Sequence, residues 1–70
     1  MQRISVSSSN IAAIGYDPDS NTLEIEFNDG SIYQYFGVSA LVYQELMDAP
    51  SHGKYFAQNI KNDYEYQKVS

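Results

Sequence analysis

The segment TLEIEFNDG, residues 22–30, constrains the fold more than any other. Leu23, Ile25 and Phe27 alternate with Glu24 and Glu26. A period of two sends the apolar and acidic side chains to opposite faces of a strand, so one face packs and the other meets water. Asp29-Gly30 then signals a hairpin, because both central positions of a two-residue type I′ turn have positive φ, which Asp tolerates and Gly favours.

The returning strand is SIYQYFGV, Ser31 to Val38. In a two-residue turn Phe27 faces Ile32 and Leu23 faces Phe36, while Glu26 faces Tyr33 and Glu24 faces Tyr35. The tyrosines then stand on the wet face beside the glutamates. A three-residue turn with a bulge at Gly30 slips the pairing by one and turns Tyr33 and Tyr35 inward. The two-residue turn is the expected one, since it matches Ile32 and Phe36 to the apolar row. On the other side, Ile11–Asp17 reads as a strand joined through the turn formers Pro18–Asn21. Closing that loop sets Asp17 against Thr22, Tyr16 against Leu23, Ile14 against Ile25 and Ala12 against Phe27. Ile11, Ala13 and Gly15 fall on the second face and give it a shallow floor.

After Val38 the period changes. Ser39 suits an N-cap, and Val42, Tyr43, Leu46 and Met47 form a helical stripe that ends near Asp48 before Pro50. Ser51 caps a second helix with Gly53, Phe56, Ala57 and Ile60 on one side. A glycine in a first turn is costly by propensity, and a close backbone approach would account for it. Lys54, Gln58 and Lys61 lie on the polar side of that helix. Asn62-Asp63 reads as a turn and Tyr64–Val69 as a last strand. The expected fold is α+β: a three-stranded antiparallel meander, two short helices on its apolar face and a C-terminal strand, in the order β-β-β-α-α-β. Residues 1–7 read as a flexible N-terminal arm and residues 8–70 as one domain.

Seventy residues with no cysteine allow one core and no disulfide or thiolate metal site. The first ten residues lack an export-signal pattern, and no segment approaches the roughly 20 apolar residues of a membrane span. A cytoplasmic location is the expectation. The net charge of −5 is unevenly spread: one cation stands against five acids in residues 1–35, and three against four in residues 36–70. An acidic chain repels bulk polyanions, so phosphate contacts must come from the second half.

Three groups of residues are candidates for chemistry. Tyr33 and Tyr35, with Tyr66 from the last strand, form an aromatic set that can stack unpaired bases at about 1–3 kcal/mol each. Lys54, Gln58 and Lys61, at i, i+4 and i+7, present two cations on one helix face. Three lysine–phosphate contacts on a single strand give a salt slope near −2, or roughly a 20-fold loss of affinity from 50 to 200 mM salt. The run DPDSN places Asp17, Asp19 and Asn21 at the first three ligand positions of an EF-hand loop, but Thr22 and Asn28 occupy the positions that need Gly and Glu. No metal or cofactor is expected. Catalysis is not expected either: His52 is the sole histidine, no triad is marked, and Glu24 and Glu26 lie on one strand face and do not flank a cleft.

The ordered set SSNIAAIGYD, LEIEF with a following Gly30, Tyr33 with Tyr35, GVSALVYQELMDA, SHGKYFAQNI and a closing aromatic strand resembles the KTSC domain. That family is named for the C-terminal domain of certain lysyl-tRNA synthetases. The likeness runs from about Ser8 to Val69, with Ser39 at a position that is often proline. The family occurs as an appendage on synthetases and as a lone bacterial domain, and this chain looks like the lone form. The resemblance implies the fold above and a suggested RNA-binding role; the residues read from the sequence for such a role, toward single-stranded or tRNA-like RNA, are Tyr33, Tyr35, Lys54, Gln58, Lys61 and Tyr66. The alternatives are a protein-interaction module that uses an acidic, tyrosine-bearing sheet face and a domain that self-associates through an edge strand.

Overall fold

The computed structural model describes residues 1–70. Its elements are β1 (Arg3–Ser5), β2 (Ile11–Asp17), β3 (Thr22–Phe27), β4 (Ile32–Phe36), α1 (Ala40–Asp48), α2 (His52–Asn59) and β5 (Tyr66–Lys68). The five strands form one antiparallel sheet in chain order. The α+β class and the helical pair agree with the sequence. The meander has four strands, not three, and the order is β-β-β-β-α-α-β. The additional strand is β1, inside the segment expected to be an unpaired arm. All three of its residues are exposed, so it carries no alternating pattern to read.

The first hairpin has the expected pairs Asp17–Thr22, Tyr16–Leu23 and Ile14–Ile25. Beyond them the pairing slips, and Ile11, not Ala12, stands opposite Phe27. Ala12 is the bulged residue, and its carbonyl accepts from the Val6 N–H at 3.1 Å. The bulge rotates Ile11 onto the core face, where it is fully buried.

The second hairpin takes the three-residue form. Leu23 pairs with Tyr35, Glu24 with Gln34, Ile25 with Tyr33 and Glu26 with Ile32. The expected two-residue turn is therefore corrected, and with it the position of both tyrosines. The local cause lies in the turn. Phe27 N–H donates to Ser31 O at 2.8 Å and Gly30 N–H donates to Phe27 O at 2.9 Å. Gly30 has φ +92°, and the Asp29 carboxylate accepts from both the Ser31 N–H and hydroxyl. Packing acts in the same direction. The larger aromatic rows go beneath the helices, and Phe36 is left exposed at the far edge.

The core lies between this sheet face and the two helices, with Ile11, Ile14, Leu23, Ile25, Val38, Leu46 and Ile60 fully buried. Both caps are as expected: the Ser39 hydroxyl accepts from Val42 N–H, and the Ser51 hydroxyl accepts from Lys54 N–H. Tyr16 ties the start of α1 to the sheet. Its hydroxyl donates to the Val38 carbonyl at 2.6 Å, and its ring stacks on Tyr43 with centroids 4.7 Å apart. The Gly53 position is explained by contact, since a Cβ there would lie 2.3 Å from Asn10 Oδ1. The last strand is shorter than expected, starting at Tyr66. No helix is long and apolar enough to cross a membrane.

Candidate aromatic cleft

Strand register decides which side chains share a face. Because Tyr33 and Tyr35 stand opposite Ile25 and Leu23, their rings lie on the core face. Tyr66 stands opposite Tyr35 and Lys68 opposite Tyr33, so β5 extends the same face. Phe56 of α2 packs edge-on against Tyr35 and Phe27, with ring centroids 5.3 and 5.6 Å away. Tyr33, Tyr35 and Tyr66 lie within 5.6–6.5 Å of one another by ring centroid.

Between these rings and the end of α2 runs a cleft of about 380 Å³, lined by Phe27, Tyr33, Tyr35, Phe56 and Tyr66, with Lys61 at its rim. That volume falls in the range of about 300–1,000 Å³ typical of small-ligand sites. The three tyrosines contribute differently. Tyr35 is only 4% exposed and serves as a wall, Tyr33 is half-buried, and Tyr66 is 59% exposed. An open platform built on Tyr33 and Tyr35 is thus replaced by a cleft whose free ring is Tyr66. Lys54 and Gln58 are exposed on α2 and do not line the cleft. Residues missed by sequence reasoning are Phe27 and Phe56, which read there only as core residues.

The opposite sheet face carries Ala13, Ile32 and Phe36 together with a central polar ladder. One row crosses all five strands as Arg3, Gly15, Glu24, Gln34 and Gln67. Gly15 lacks a side chain, so Arg3 reaches over it and pairs with Glu24; its Nε also lies 3.3 Å from Glu26 Oε1. Gln34 Nε2 donates to Glu24 at 2.8 Å. Burial alone would raise the Glu24 pKa, but the hydrogen bonds from Gln34 and Arg3 outweigh it and hold the carboxylate below its ordinary value.

This arrangement separates the charges. Glu24 and Glu26 lie behind the sheet, away from the tyrosines, and Arg3 is committed to them. An acidic face bearing tyrosines, the premise of the protein-module alternative, is therefore not formed. Arg3 likewise lies on the face opposite the tyrosines. Lys54, Lys61 and Lys68 make no salt bridge, since both of those in the chain involve Arg3. The DPDSN loop uses its first carboxylate locally: Asp17 accepts from Asp19 N–H and the Ser20 hydroxyl.

A small α+β domain with a helix-flanked aromatic cleft on one sheet face and a polar ladder on the other is the class that these features define. The chain belongs to the KTSC domain family, whose model matches residues 7–64. It is similar over 99% of its length to the crystal structure of a KTSC domain protein from Yersinia pestis, with a TM-score of 0.96 and 45% identity, covering 97% of that chain. It is 47% identical over 60 residues to a lysine–tRNA ligase from Nostoc sp., covering 86% of this chain and 11% of that ligase. An uncharacterized protein from Stutzerimonas stutzeri is 39% identical, with 99% of each chain covered. The chain thus spans about a tenth of the ligase it matches.

Proposed function

We propose that this domain is a non-catalytic binding module that engages single-stranded or tRNA-like RNA weakly at the aromatic cleft. One observation carries the proposal: the register that buries Tyr35 also puts Tyr33, Tyr66 and Lys68 on one side of the sheet and Glu24 and Glu26 on the other, with Lys61 lining the cleft on the tyrosine side. Tyr66 offers a ring face to a base, and the two lysines offer unpaired cations to the backbone. The relative named lysine–tRNA ligase, which carries a matching segment, supports an RNA context over other polyanions. In this reading the domain works in the cytoplasm.

The energetics are modest. Two lysine–phosphate contacts give a salt slope near −1.4, about a sevenfold loss of affinity between 50 and 200 mM salt. One base stacked on Tyr66 adds about 1–3 kcal/mol. The test is a titration of a labelled single-stranded RNA at 50 mM salt with the native chain, Tyr66→Ala and Lys61→Glu. Both variants should weaken binding, and Lys61→Glu should also flatten the salt dependence. Equal binding by all three would remove the site.

A further inference from the structure

The Tyr35 hydroxyl belongs to the most buried of the three tyrosines that line the cleft. The residue is 96% buried, yet its hydroxyl has no hydrogen-bond partner in the chain, unlike Tyr16 and Tyr55, which donate to Val38 O and Glu45. Every fully enclosed side-chain nitrogen or oxygen is partnered, so this hydroxyl retains access to the cleft that Tyr35 lines. With that access the hydroxyl is open to water in the free domain, and a polar atom entering the cleft can take the water's place.

The surroundings define that partner. The cleft walls combine aromatic rings with the polar side chains of Asn10, Ser31 and Asn62, so a flat ring with polar edges suits them. The Tyr33 and Tyr66 hydroxyls also lack partners within the chain, and the proximity of these two phenols, after burial itself, pushes the Tyr35 pKa up to about 12. Like any tyrosine at neutral pH the phenol is protonated, and it can donate to a carbonyl or ring nitrogen. Lys61 stands at the rim, where a charge attached to the inserted ring would lie.

Resting on the RNA reading, we infer that the cleft takes one nucleotide, with its base inserted among Tyr33, Phe56 and Tyr66, its polar edge on the Tyr35 hydroxyl and its phosphate at Lys61. Tyr35 is then a specificity-determining residue. Every contact named here is made by one nucleotide, so a mononucleotide should occupy the cleft without the rest of the strand.

The experiment uses the full chain and each of the four ribonucleoside 5′-monophosphates, followed by NMR shifts of the tyrosine ring protons, with a single-stranded RNA as a parallel titrant. At least one mononucleotide should shift Tyr33, Tyr35 and Tyr66 together, more tightly than its nucleoside. Tyr35→Phe changes one hydroxyl and keeps the ring. It should remain folded and lose roughly 3- to 10-fold in affinity for that mononucleotide, the ordinary effect of one hydrogen bond. Unchanged affinity in Tyr35→Phe overturns the assignment. RNA binding at Tyr66 with no mononucleotide binding also overturns it while leaving the RNA reading in place. Failure of both titrants overturns both.

Discussion

Tyr35 pairs with Leu23 across the second hairpin, not with Glu24. That one-residue difference places a ring beneath α2 and an acid behind the sheet. It depends on the turn, where Gly30 has φ +92° and a Cβ would meet nothing within 4 Å. Gly30→Ala should therefore cost only the backbone strain of the left-handed region, about 1–2 kcal/mol. Urea unfolding checks this. A neutral substitution would mean that the turn does not hold the register.

Gly15 carries a different constraint. A Cβ there would lie 2.6 Å from the Gln2 carbonyl oxygen and 3.1 Å from Arg3 Cγ. Backbone must move, so Gly15→Ala should destabilise by about 1–3 kcal/mol. The strand β1 should be displaced with it, seen as faster amide exchange at residues 3–5.

Glu24 gives a pH dependence of known sign. Its folded pKa lies below the ordinary 4.5. Its contribution to stability is present above the unfolded pKa and is lost as pH falls through the folded value. Unfolding midpoints measured from pH 6 down to pH 3 should fall less steeply in Glu24→Gln than in the native chain.

At high pH two of the seven tyrosines should titrate late. Burial first, then neighbouring groups, pushes Tyr35 and Tyr55 up to about 12. Because these pKa values are raised, the associated stability is intact below about pH 10 and declines as pH rises through 12. Ultraviolet titration of Tyr35→Phe should remove one late step and leave the other.

Tyr16→Phe keeps the ring on Tyr43 and deletes the hydrogen bond to Val38 O. The expected loss is about 1 kcal/mol, read from the denaturation midpoint with an unchanged slope.

Much of the fold was legible because local chemistry and packing agreed. The alternation in β3, the Pro18–Asn21 loop and the serine caps each specify one outcome, and the helices begin after Ser39 and Ser51. Strand β4 was ambiguous, since Ile32 and Phe36 form one apolar row and Tyr33 and Tyr35 another. Alternation cannot rank two such rows; the three-residue turn at Gly30 sets the register, and packing against the ring of Phe56 from a distant helix agrees with it. Ala12 bulges where the Val6 N–H, just beyond β1, bonds its carbonyl, a partner in a segment with no pattern of its own. At the cleft, Tyr33, Tyr35, Lys61 and Tyr66 were visible as residue types, but Lys54 and Gln58 belonged to a helix face that turns elsewhere.

The most direct test of RNA binding at the aromatic cleft is chemical-shift mapping of the domain with a single-stranded RNA at low salt. The largest changes should fall on Tyr33, Phe56, Lys61 and Tyr66. Changes centred instead on Glu24, Gln34 and Gln67, or none at all, would contradict it.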